Sequence, residues 1–165
     1  MKPLTLIAAV AVATAAIVGS AQAQNAGEIE RARAGANCPH CNLFQADFSS
    51  LQLKGRNLAG SRLRQADMSA SVMNFTNLAG TDLRDVNAYG GVFTGTIFAG
   101  ANMTNASFVG AYLQGANFRG ATLTGVNFSG AEMDRAVGLT EAQLSGACGD
   151  ATTLLPRGLH LRACH

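Results

Sequence analysis

At 165 residues, with 48% hydrophobic and only 13% charged side chains, the chain has the length of one domain and is too apolar for a disordered tail. Its 12 basic and 10 acidic side chains leave a formal net charge of +2, which gives no reason to expect nucleic acid or anionic lipid as a bulk partner.

The first segment reads as a targeting signal. Lys2 supplies a positive start, Leu4 to Gly19 is an apolar run, and Ala21-Gln22-Ala23 fits the small-x-small rule for cleavage after Ala23. At roughly 16 residues the run is short for a membrane span, and no later segment could cross a bilayer. Residues 1–23 are therefore expected to be removed on export. The periplasmic or secreted chain would begin at Gln24 with a net charge of +1, since Lys2 is the one charged residue of the leader. Residues 24–35 then read as a helical cap. Asn25 and Glu28 have capping-box spacing, Glu28 to Ala34 can be helical, and Gly35 supplies a stop.

From Ala36 to Arg135 the chain falls into twenty consecutive units of five residues: ANCPH, CNLFQ, ADFSS, LQLKG and onward to ANFRG, ATLTG, VNFSG and AEMDR. The third place is apolar throughout, from Cys38 and Leu43 to Phe128 and Met133. The first place is small in all units but those opening with Leu51 and Arg56, and glycine takes the fifth place in 11 of the 20. In extended chain, positions one and three face the same way, so two and four face outward. A turn at position five then resets the alternation, and glycine tolerates the positive φ such a turn needs. Turning in one sense every five residues closes a square coil after twenty. Stacked coils bury third-place side chains that no single unit could bury. Units such as Ala46-Asp47-Phe48, Ala66-Asp67-Met68, Thr76-Asn77-Leu78, Ala101-Asn102-Met103 and Ala116-Asn117-Phe118 make the run resemble the pentapeptide repeat family, whose pattern is A(D/N)LxX. The resemblance implies an all-β fold, a right-handed quadrilateral parallel β-helix. Twenty units on four sides would give about five coils and a rod about 24 Å long.

Residues 136–165 are the expected C-terminal cap. Thr140 and Gln143 mark a second short helix, and Cys148 to His165, with Pro156 inside it, reads as a loop. Four cysteines in an exported chain are expected to pair. The two cysteine pairs lie at opposite ends of a rod too long for a disulfide to span, so Cys148 is expected to bond Cys164 and close the tail. Cys38 and Cys41 both fall on inward places, where a disulfide would staple the first coil. The letters CPHC also match the active site of thioredoxin-like oxidases, which leaves a thiol-disulfide oxidoreductase open. However, the helix that activates such a thiol is not expected here. Cys38, His40 and Cys41 would need a fourth ligand to hold zinc.

No nucleophile, base and acid constellation and no phosphate loop is visible, so neither catalysis nor a cofactor is expected. Contact surfaces would then be outward columns repeating every twenty residues. One side carries Asn37, Asn57, Asn77 and Asn117, a ladder expected to stabilise stacking. The next carries Phe44, Arg62 beneath Asp82, and Arg64 beneath Arg84. Stacked arginines repel unless an anion or acidic partner intervenes. A third column holds Val72, Val92 and Tyr112, an apolar strip suited to partner docking or a homodimer. Two inward places are anomalous: Arg56 must find an acceptor or escape, and Ala88 should leave a void unless its neighbours close in. The leading expectation is a non-enzymatic exported scaffold whose partner is a protein or envelope component. Some members of the resembled family mimic duplex DNA and bind DNA gyrase, but that role requires a cytosolic, strongly acidic rod.

Overall fold

The computed structural model describes residues 24–165. The proposed leader and its cleavage site lie outside the described residues. Among the described residues, no helix is long and apolar enough to cross a membrane.

The body is a parallel β-helix built from single bridges rather than long strands. Within the repeat each bridge joins second-place residues twenty apart, and the bridges fall into four columns. One runs Asn42, Arg62, Asp82, Asn102, Thr122, the next starts at Asp47, the third at Gln52 and the fourth at Asn57. Around each bridge the third-place N–H donates upward, as from Leu63 to the Asp82 carbonyl (2.9 Å), and the second-place N–H donates downward, as from Arg62 to the Cys41 carbonyl (2.9 Å). The backbone polar groups of one turn of chain are thereby satisfied by the next.

The division of labour among the five places follows from this geometry. Third-place side chains, from Leu43 and Phe48 to Phe128 and Met133, are at most 2% exposed. The upper core is aromatic: Phe98 stacks on Phe118 with centroids 5.2 Å apart, and Phe93 meets Phe108 at 5.4 Å. Where a hydroxyl replaces alanine at the first place, it bonds a carbonyl. Thr76 donates to Leu53 O (2.8 Å), Thr96 to Met73 O (2.7 Å) and Ser61 to Cys38 O (2.7 Å). Fifth-place residues from His40 to Gly130 all have φ between 52° at Ala70 and 72° at Gly125. Eight of them are not glycine, including Phe75 and Asp85. Ladder bonds on both sides hold these corners in a conformation that costs a side chain about 1 kcal/mol.

Both core anomalies resolve. Arg56 escapes: it is exposed, and its guanidinium lies against the backbone of Gly35, 3.5 Å from where a Cβ would stand. Ala88 is fully buried, and three residues on Gly91 gives room to the Phe93 ring, which lies 2.5 Å from the position of an added Cβ. The neighbours have closed in.

Helix α1 (Ala26–Arg33) covers the lower end, with the Asn25 side chain accepting from the Glu28 N–H at 3.2 Å. It begins two residues earlier than expected, and the Glu28 carboxylate does not turn back to Asn25. Instead it accepts the Asn42 N–H at 2.6 Å, while the Asn37 side chain accepts the Asn57 N–H at 2.8 Å. These two side chains supply the acceptors that a coil beneath would have offered. At the upper end, α2 (Glu141–Leu144) is capped by Thr140 and buries Leu144. The segment expected to be loop differs: Cys148 bridges Asn127, Leu154 bridges Glu132, and β1 (Cys148–Gly149) pairs in parallel with β2 (Arg162–Ala163). The ladder therefore continues into the tail without the five-residue sequence pattern.

Candidate functional site

The outer surface is set first by what the second place does locally. Asp or Asn there turns its Oδ1 onto the backbone N–H two residues later: Asp47 to Ser49 (2.9 Å), Asp67 to Ser69 (2.9 Å), Asn77 to Ala79 (3.0 Å), Asn117 to Arg119 (3.0 Å) and Asn127 to Ser129 (2.9 Å). This is the Asx turn that starts each corner. The side chains of Asn57, Asn77 and Asn117 are thus occupied within their own units, whereas Asn37 at the foot reaches up to the backbone N–H of Asn57.

The arginine wall is internally paired. Arg84 forms two bonds of 2.7 Å with the Asp82 carboxylate, and Arg64 Nε meets Asp85 at 3.3 Å. The Arg84 hydrogen bond is the chief reason that the Asp82 carboxyl titrates below the usual carboxylate range. Arg62 stands one rung below Asp82, yet Arg84 takes the carboxylate because a bidentate fork within one unit is better geometry. Arg62 stacks instead over the Phe44 ring, its guanidinium carbon 4.8 Å from the centroid. Phe44, expected as part of the partner surface, is 9% exposed and offers little contact area. Arg64 and Arg84 stack without an external anion because Asp82 and Asp85 lie among them.

The apolar wall is larger than its sequence column. Val72, Val92 and Tyr112 are bridged in order, Tyr112 being exposed. At its corner stands Phe75 at 60% exposure, while Tyr89 at 61% and Ile97 lie on the two adjoining walls. The Phe75 ring lies over Gly95, and Lys54 Nζ is 5.8 Å from its centroid. Sequence reasoning missed Phe75 because it treated the fifth place only as a turn. The signal was present, since a corner with positive φ cannot aim a ring at the axis.

At the foot, Cys38 and Cys41 are joined with Cα atoms 5.5 Å apart, and at the head Cys148 and Cys164 are joined at 4.9 Å. The first pair is 2% and 7% exposed. A shallow groove where α2 meets the last coil is lined by Thr122, Thr124, Gln143 and Ser145. The Gln143 amide there is committed to the carbonyls of Phe118 and Ala121, both at 2.9 Å. Among the described residues no group of three or more His, Cys, Asp or Glu is arranged to hold a metal ion.

The model of the family described as pentapeptide repeats matches in eight copies, over stretches that together run from residue 46 to residue 148, more than half of the chain. The chain belongs to the pentapeptide repeat family. Pentapeptide repeat proteins fold as right-handed β-helices and are in general non-enzymatic scaffolds. Among solved structures it is similar to HetL, a pentapeptide repeat protein involved in heterocyst differentiation regulation in the cyanobacterium Nostoc sp. strain PCC 7120. The two are 29% identical over 73% of this chain and 52% of HetL, with a TM-score of 0.56. A pentapeptide repeat protein of the Arabidopsis thaliana thylakoid lumen is 26% identical over 64% of this chain and 59% of that one, with a TM-score of 0.30. A second pentapeptide repeat protein of Nostoc is 23% identical over 83% and 88%, with a TM-score of 0.38. This chain thus spans about half the length of HetL. No curated protein sequence matches it.

Proposed function

We propose that this pentapeptide repeat protein is an exported, non-catalytic scaffold, a four-sided rod of about five coils whose flat walls contact a protein or envelope component. The observation that carries the reading is the division of the repeat: third-place side chains are sealed in the core while second and fourth places form continuous outer columns. The disulfide of Cys38 and Cys41 is buried beneath α1, which favours a structural staple over thiol exchange. A duplex-mimicking gyrase ligand would need an acidic rod, whereas Asp82 and Asp85 are neutralised by Arg84 and Arg64. Export would place both disulfides in an oxidising compartment, where they persist.

Affinity capture from an envelope fraction tests the reading. The wild-type chain is expected to retain a defined component that the Arg64→Glu/Arg84→Glu variant loses, with circular dichroism showing the variant folded. Turnover of a substrate by the purified chain, or cytosolic chain retaining residues 1–23, would overturn it.

A further inference from the structure

The wall built on Gln52 has an internal order that its apolar centre does not by itself require. Its second-place column runs Gln52, Val72, Val92, Tyr112, Glu132, each bridged to the next. Its fourth-place column runs Lys54, Asn74, Thr94, Gln114, Asp134, held in register by Thr94 N–H on Asn74 Oδ1 (3.0 Å) and by the Gln114 amide on the Asp134 carboxylate. The wall is therefore basic at the foot, apolar in the middle and acidic at the head. Arg135, at the corner beside Glu132 and Asp134, still leaves the head with net negative charge.

These features are symmetric about the rung of Val92. Lys54 lies as far below Thr94 as Asp134 lies above it, about 19 Å end to end at four rung spacings. Val72 and Tyr112 are equidistant from Val92. An in-plane two-fold axis across the rod preserves lateral position and inverts height. It would set Lys54 against Asp134, Val92 against Val92 and Val72 against Tyr112, with the Phe75 ring, which lies over Gly95, beside the axis.

The geometry points to an antiparallel, isologous homodimer in which two copies of this chain join through this wall. Charge complementarity selects the second copy as occupant and the antiparallel sense. A parallel pair, related by an axis along the rod, would keep the two lysines at one height and bring the Glu132 and Asp134 carboxylates of both copies together at the head. A wall about 24 Å high and about 20 Å wide buries roughly 1,000 Å² from both copies, the lower end for a specific interface, so the dimer is reversible and concentration-dependent. This inference rests on the scaffold reading only in taking the walls as contact surfaces.

Sedimentation velocity of the full chain, from about 1 μM to about 500 μM, tests it. A monomer–dimer equilibrium that weakens with added salt is expected. Val92→Asp, which sets two carboxylates on the axis, should abolish the dimer. Lys54→Glu should weaken it at least tenfold, and Lys54→Glu/Asp134→Lys should recover most of that loss, with circular dichroism showing each variant folded. A strict monomer across the range, an unchanged dimer in Val92→Asp or Lys54→Glu, or a charge-swapped double variant no tighter than the single one would each overturn the proposal. A strict monomer would leave the scaffold reading standing, because envelope capture reads that separately.

Discussion

The Phe93 ring occupies the space that a Cβ on Gly91 would need, its Cε2 lying 2.5 Å from that position, with the Met68 carbonyl 3.2 Å away on another side. The glycine is retained here for its missing side chain, since its φ lies outside the left-handed region. Gly91→Ala is therefore expected to destabilise the protein by about 1–3 kcal/mol through overpacking. Ala88→Leu should do likewise, because Ala88 is fully buried. Chemical denaturation of both variants checks this, with Gly100→Ala, where an added Cβ meets nothing within 4 Å, separating backbone strain from crowding.

Glu28 ties the helical cap to the first coil through the Asn42 N–H. Glu28→Ala leaves an edge amide without its charged acceptor, and a loss of about 1–2 kcal/mol is expected. Hydrogen exchange should show the change concentrated at residues 38–46, with the upper coils unaffected.

Removing the upper disulfide should loosen only the tail. The Cys148 to Cys164 link closes a loop with a separation of 16 residues, for which chain entropy gives about 3 kcal/mol. In Cys148→Ser/Cys164→Ser, the pairing of β1 with β2 should fray under limited proteolysis while the repeat body keeps its circular dichroism.

The second-place Asx turn predicts a small, repeated penalty. Asn77→Ala removes the bond to the Ala79 N–H and should cost about 1 kcal/mol, whereas Asn77→Asp should be nearly neutral. Equilibrium unfolding of the two variants separates the turn from any inter-asparagine ladder, which would penalise both.

Acid should weaken the upper end. Asp150 accepts from the Thr152 hydroxyl and N–H and from the Gly130 N–H, and these bonds bring its pKa down to about 2. A carboxyl depressed in the folded state contributes stability above its unfolded value, near 3.8, that is lost as pH falls through about 2. Thermal melts from pH 5 to pH 2 should show this loss in wild type and a flatter profile in Asp150→Asn.

Much of the molecule follows from its letters because the decisive physics is local and repeated. Places one and three of a unit must share a side, so the core positions from Leu43 to Met133 and the inward lie of Cys38 and Cys41 could be read without coordinates. Asn25 likewise announces α1 through a bond within four residues. What the letters left open depends on partners twenty or more residues away and on side-chain direction. Asp82 had two arginines within reach, and the shorter fork to Arg84 won, sending Arg62 onto Phe44. Arg56 left the core through space beside Gly35 that only the docked cap defines. The tail from Cys148 has no five-residue pattern, yet it adds rungs above Asn127 and Glu132, since an unpaired ladder edge accepts any chain that can hydrogen-bond to it. The outward aim of Phe75, and with it the breadth of the apolar wall, came from the corner geometry that its neighbours impose.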